Sequence, residues 1–219
     1  QSVTVNIPAV LPNQLKPGLK DTVAYKMLDN NILYINHSLL KSKMITENIA
    51  DWSKVKGVVI DDRNYPGDFL VFKLGPLLLT KPTDFVRFTS TSLKYPGTFV
   101  MSDPLQVGEH TNDCYRGKVA ILVNEDTQSS AEYHVMAYQA ASHVKVFGSQ
   151  TAGADGNVSS IDLPGNQRTM LSGLGVYYPD QRETQRVGIK IDEIVKPSIK
   201  GIREGRDEVM EKALEYLNK

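Results

Sequence analysis

The sequence predicts an α/β fold built on a mostly parallel sheet, and three observations carry the prediction. Short runs of consecutive apolar residues, Val58 to Ile60 and Val119 to Val123, read as strands buried on both faces. Stretches with apolar residues at helical spacing lie between such runs. The resulting order of strand, helix, strand, helix, strand calls for crossover connections between parallel neighbours.

Taken in order, residues 1–20 hold three prolines and "LKPGLK", which reads as an N-terminal linker or leading strand, with a single domain over 21–219. "TVAYKMLDNNILYINHSLL" reads as a β-hairpin turning at Asp29, Asn30 and Asn31, residue types that tolerate positive φ. "SKMITENIADWSK" places Ile45, Ile49 and Trp52 at helical spacing. "KGVVIDDRNYPGD" is a buried strand running into a polar loop, and Asp68 is placed to cap the following helix, which Gly75-Pro76 should bend or end. "DFVRFTSTS" alternates like a strand. Residues 93–115 lack periodicity and are expected to form a long surface loop. "GKVAILV" is the next buried strand, 129–142 the next helix and "VKVFG" a third strand. Residues 156–192 should hold several strands, with turns at Pro164-Gly165-Asn166 and Pro179-Asp180. In the last helix Val209, Met210, Ala213, Leu214 and Leu217 share one stripe.

Composition narrows the function. The 219 residues are 41% apolar and 23% charged, with zero formal net charge. No basic stripe points to nucleic acid, and no apolar run approaches the roughly 20 residues of a membrane span. The single cysteine, Cys114, reads as a half-buried loop thiol. Histidine and cysteine spacing suggests neither metal nor cofactor.

The chemistry centres on "NEDTQSSAEYHVMAYQAA" at 124–141, where a buried strand turns into a helix. Ser129 and Ser130 fit a helix N-terminus, and Glu132, three residues after Ser129, completes a capping box. The same position suits a nucleophile, provided that the serine sits at a strained elbow, that N–H groups converge on an oxyanion and that a base takes the proton. The N–H groups of Gly67 or Asp68 and of Ser130 could supply the oxyanion hole if the two parallel strands end side by side.

Four blocks, "KGVVIDDRNYPGD", "GKVAILVNEDTQSSAE", "VFGSQTAG" and "GVYYPDQRETQRVGIKIDEIV", resemble in sequence and order the tail-specific, or C-terminal processing, serine peptidases, whose relatives include tricorn core proteases and interphotoreceptor retinoid-binding protein. The resemblance runs from about residue 22 to 218. It implies a crotonase-like/Clp-like ββα-spiral core and peptide-bond hydrolysis through an acyl-enzyme. The family's nucleophile, the Ser of S-x-x-E, falls on Ser129, and Ser130 then supplies an oxyanion N–H. The substrate implied is a peptide or protein, met at its C-terminal segment.

The sequence also departs from the family. Processing proteases place a lysine where "TAGA" has Ala154, so no Ser–Lys dyad is available. Asp155 follows, although a carboxylate is not the family's usual base. Tricorn-like relatives use a histidine from a strand that matches "LYINH" here, which makes His37 the candidate base. A register-true match falls on Asn36, so only a strand end or bulge would aim His37 at the site. His134, on the nucleophile helix, is expected to point elsewhere, and His143 to sit as a partner of that helix's C-terminal dipole. Nothing in the first 20 residues resembles the PDZ module that processing proteases carry. "GIREGRDEV" resembles exported bacterial members, a hint of a periplasmic or envelope location. The competing expectation is a binding protein on the same scaffold that takes apolar peptides or lipids without turnover.

Overall fold

The computed structural model describes residues 23–48 and 54–219. Strand β1 (Tyr25–Leu28) turns through Asp29–Asn31 into β2 (Ile32–Asn36), and the pair is antiparallel. Asn30 and Asn31 take φ of 60° and 58°, as the hairpin reading requires. Helix α1 (Ser42–Asn48) leads to β3 (Gly57–Asp61), then to the short α2 (Val71–Leu74), which breaks into a 3₁₀ turn at Gly75–Leu77. Ile49 and Trp52, two of the three residues placed on the first helix, lie outside the described residues.

Strands β4 (Thr83–Thr91), β5 (Phe99–Met101) and β6 (Leu105–Val107) precede β7 (Lys118–Val123), α3 (Ser130–Tyr138) and β8 (Val144–Gly148). The C-terminal part holds β9 (Val158–Leu163), β10 (Gln167–Ser172), β11 (Gly175–Tyr177), β12 (Glu193–Ile194), α4 (Ile199–Arg203) and α5 (Glu208–Asn218).

The main sheet runs β1-β2-β3-β7-β8-β12, and every pair but the first is parallel. Side chains alternate between its two faces. Leu33, Ile35, Val58, Ile60, Val119 and Ile121 point into one core, with Leu70, Leu74 and Val135 from α2 and α3 and their flanks. Ile32, Tyr34, Val59, Ala120 and Leu122 point into the other, covered by Val209, Ala213 and Leu217 of α5. Burial on both faces explains why these strands appear as unbroken apolar runs. Arg63 anchors α5 to the sheet. Its guanidinium meets Asp61 Oδ2 at 2.7 Å and donates to Asp207 Oδ1 at 2.9 Å, and Asp207 in turn caps α5 by accepting from Met210 N–H.

A second, antiparallel sheet, β11-β4-β5 with β6 also on β4, lies beyond α3. Its strands β5 and β6 fall inside 93–115, so that segment is not one long loop. Each is three residues long, too short to show a period, and each is held by its pairing with β4. Strands β9 and β10 form a separate hairpin, turned at Gly165 and Asn166 and exposed along its length.

Asp68 does not cap α2. Leu70 holds that N-cap position with no side-chain bond, and Asp68 Oδ2 accepts instead from Ser42 N–H at the start of α1, at 2.8 Å. The chain folds back after Asn36, bringing α1 within reach of the carboxylate. Helix α3 ends at Tyr138, short of 142.

Parallel strands carry their following loops at one edge, and here four converge. His37 N–H donates to Asp61 O, Asp62 N–H to Leu122 O, Thr127 Oγ1 to Asp62 O and Ala152 N–H to Thr127 O. The ends of β2, β3, β7 and β8 therefore form one continuous rim, the edge at which such sheets bind ligands.

Candidate active site

Ser129 stands on this rim with φ 51° and ψ −118°, a conformation that a residue with a Cβ rarely adopts. It persists because the surroundings over-determine it. Helix α3 begins at the next residue, so the turn from strand to helix is the sharp elbow a nucleophile needs.

Glu132 is the device that holds the elbow. Its Oε2 accepts from Ser129 N–H at 3.1 Å and Ala154 N–H at 2.9 Å. Its Oε1 accepts from Thr151 Oγ1 at 2.5 Å and Gly153 N–H at 2.8 Å. One fully buried carboxylate thus ties the elbow to the loop after β8. The amide nitrogens of Ser129 and Ala154 share one acceptor and so lie no more than about 6 Å apart. Gly153, at φ 62°, gives the loop the turn it needs, and a Cβ there would meet Arg186 backbone at 2.9 Å.

Beside the elbow opens a cleft of about 490 Å³, lined by aromatic and small residues and by Asp155. Tyr133 lies between Phe69 and Phe88, stacked on each with ring centroids 5.8 and 6.1 Å away. Tyr65 and Phe69 are more than half exposed, at 55% and 57%. Large apolar rings held open to solvent beside a candidate nucleophile form a surface for an apolar side chain.

The structure brings together some of the expected residues and separates others. Ser129 and Ser130 both line the cleft. The N–H groups of Ser130 and Asp68 donate to no acceptor among the described residues, whereas Gly67 N–H is taken by His37 O at 3.1 Å. A Cβ on Gly67 would fall 2.4 Å from Ser38 O, so this glycine allows the close approach of the chain's own backbone.

His37 follows the last residue of β2 and turns inward. It is fully buried, its Nδ1 lies 2.5 Å from Asp62 Oδ1, and its Nε2 lies 3.4 Å from the Tyr138 hydroxyl. No hydrogen bond joins it to Ser129 among the described residues. The strand end does re-aim the ring, toward Asp62.

His134 packs edge-on against His37 at 4.6 Å. Its Nε2 accepts from Leu70 N–H at 2.8 Å, so the neutral ring carries its proton on Nδ1, which donates to Ser130 O. Burial, then the neighbouring His37, lowers its pKa to about 4 and keeps it neutral. Although Ser130 Oγ is 3.4 Å from Nδ1, that nitrogen has no lone pair to offer, and the two do not make a nucleophile–base pair. His143 is likewise pushed down by burial, which works against the expected role as a cation at the helix C-terminus.

Asp155 is the residue that sequence reasoning set aside. It is 6% exposed and lines the cleft; Oδ1 accepts from Gly156 N–H at 2.7 Å, and Oδ2 is buried without a partner. Burial raises its pKa from 3.8 to about 7, with a further push from Glu132. An unfolded chain releases this proton near pH 4 and the folded chain retains it to about pH 7, so between these values rising pH costs stability. Asp155→Asn is therefore expected to melt with wild type near pH 4 and above it near pH 8. Equal melting temperatures at both pH values would contradict the burial argument.

Among the described residues no group of three His, Cys, Asp or Glu is placed to hold a metal ion. No described helix is long and apolar enough to cross a membrane. Cys114 is half-buried and outside the cleft.

The model of peptidase family S41 matches residues 31–195. Among solved structures, a suspected peptidase from Parabacteroides merdae ATCC 43184 superposes with a TM-score of 0.76 at 22% identity, over 88% of this chain and 63% of that one. Mature CPAF complexed with lactacystin gives 0.65 at 14% identity, over 85% and 50%. The photosystem II D1 C-terminal processing protease gives 0.57 at 17%, over 79% and 45%. At these identities the likeness is one of fold, and the chain spans less than two thirds of each of these proteins. Among curated proteins none matches the chain.

Proposed function

The chain belongs to peptidase family S41, and from that membership we propose that it hydrolyses peptide bonds through an acyl-enzyme on Ser129, without a Ser–Lys dyad. The observation that carries the proposal is the Ser129 elbow, held at positive φ by Glu132 and opening on a cleft. The N–H groups of Ser130, at the start of α3, and Asp68, at the end of the β3 loop, are the free donors proposed for the oxyanion. The helix dipole of α3 adds to the field at Ser130.

The substrate proposed is a peptide with a large apolar side chain beside the scissile bond. Nothing lining the cleft is a lysine or arginine that could pair with a terminal carboxylate. Reading of a substrate's C-terminus, the habit of the processing proteases, would thus fall outside this cleft. Phe69→Ala is expected to lower kcat/KM for such peptides about tenfold and to leave those with a small side chain nearly unchanged. A uniform loss across both would remove Phe69 from specificity.

The same aromatic lining favours a second reading, a non-hydrolytic binder of apolar peptides or lipids. Incubation with a fluorophosphonate and mass spectrometry separates the two. A single adduct on Ser129 supports the peptidase; a folded, unlabelled protein with affinity for apolar peptides supports the binder. An envelope location is part of the proposal, supported by the "GIREGRDEV" block and by likeness in fold to a lipoprotein from Streptococcus agalactiae.

A further inference from the structure

The peptidase reading leaves the base open, and each titratable group around the Ser129 elbow can be asked whether it keeps a lone pair that no other group occupies. His134 does not, because Leu70 N–H occupies Nε2 and Nδ1 carries the proton. Both nitrogens of His37 are taken, Nδ1 by Asp62 and Nε2 by the Tyr138 hydroxyl. Tyr133 lines the cleft, but burial, then the charge of Asp155, pushes its phenol up to about 12. Ala154, in the place of the family's lysine, has no titratable atom. Asp155 alone among the lining residues is a carboxylate, and one of its oxygens has no partner.

We infer that Asp155 Oδ2 is the general base for Ser129, taking over in this chain the task that a lysine amine performs from the neighbouring position in processing proteases. The inference rests on the peptidase reading of Ser129. The scaffold fixes the loop that carries Asp155 beside the elbow. Glu132 fastens Ala154 beside the elbow, Gln185 Nε2 donates to Asp155 O at 2.7 Å, and Arg186 N–H donates to Gly153 O at 2.6 Å. The loop is thereby clamped on both sides, and Gly156 N–H leaves only Oδ2 for the reaction.

The proton balance closes within the chain. Ser129 Oγ bonds to the substrate carbonyl carbon as its proton passes to Asp155 Oδ2. The tetrahedral intermediate collapses, the C–N bond breaks, and the carboxylic acid returns that proton to the leaving amine. Water then attacks the ester and gives a proton to Asp155, which passes it to Ser129 Oγ as the acid product leaves.

A carboxylate is ordinarily too weak a base for this task, and its environment here strengthens it. Burial is the main cause of its rise to about 7, with Glu132 adding to it. Glu132 and Tyr133 face it from α3. On the opposing loop Arg186 is 82% exposed at its side chain and paired with Glu183. A base poised near working pH satisfies the matching condition for general-base catalysis.

The test is the rate of fluorophosphonate labelling of Ser129 from about pH 5 to 9, in wild type, Asp155→Asn and His37→Gln. The expected result is a wild-type rate that rises through about pH 7, a loss on the order of 10²-fold or more with no inflection in Asp155→Asn, and a kept inflection in His37→Gln. An Asp155→Asn protein that labels at the wild-type rate overturns the base assignment and leaves the peptidase reading standing. Loss of the inflection in His37→Gln alone moves the role to His37. The wild-type profile decides independently of how well either variant folds, because a rate that is flat with pH removes Asp155. A wild type that never labels ends both readings.

Discussion

Ser129→Ala is expected to lower turnover of an apolar peptide by at least about 10³-fold while leaving the melting temperature within a few degrees of wild type. The two halves of this result must be read together. Ser129 occupies a strained backbone site, φ 51° and ψ −118°, that alanine tolerates no better than serine. The substitution removes a hydroxyl and leaves the backbone bond from Ser129 N–H to Glu132 intact. A serine that only capped α3 would show a similar loss in stability, about 0.5–2 kcal/mol, but keep its activity, so turnover is the half that decides. Ser130→Ala is the internal control, because its proposed contribution is a backbone N–H that alanine also has. A large loss of turnover in Ser130→Ala with none in Ser129→Ala would reassign the nucleophile.

Much of the fold was legible because burial writes itself into the sequence. The parallel strands β2, β3 and β7 are covered on both faces, so each carries an unbroken apolar run, whereas the exposed Lys145 interrupts β8. Asp29-Asn30-Asn31 announced its turn through residues that accept positive φ. Strands β5 and β6 were not legible, because three residues carry no period and their reason for being extended lies in β4. Asp68 was read through its nearest helix in sequence, whereas a carboxylate caps whatever amide lies nearest in space, here Ser42.

The site divides the same way. Ser129 and Glu132 stand three residues apart on one elbow, and a local motif records them. The partners of His37 could not be read, since Asp62 follows the end of β3 and Tyr138 comes from the far end of α3. Asp155 shows the limit most plainly. As a residue type it is an ordinary surface carboxylate, and only its burial and its unpartnered oxygen make it a base.

Glu132→Ala carries the second large expectation, a loss of about 3–5 kcal/mol in unfolding free energy. At about 2–4 °C per kcal/mol for a chain of this size, the melting temperature should fall by roughly 10 °C. If Glu132 were only the third residue of a capping box, the loss would stay near 1 kcal/mol. The larger figure follows from its four donors, Ser129 N–H, Thr151 Oγ1, Gly153 N–H and Ala154 N–H, which come from two segments and lose their common acceptor together. Glu132→Gln sharpens the distinction. It keeps the volume and one acceptor oxygen but turns an NH₂ group toward donors, so it should fall between wild type and alanine. Urea unfolding of the three proteins, with fluorophosphonate labelling at a temperature where all remain folded, reads both consequences. If Glu132 holds the elbow and the Asp155 loop in register, labelling falls along with stability across the series. A one-kilocalorie loss with unchanged labelling would reduce Glu132 to a cap, and the positive φ at Ser129 would then need another support.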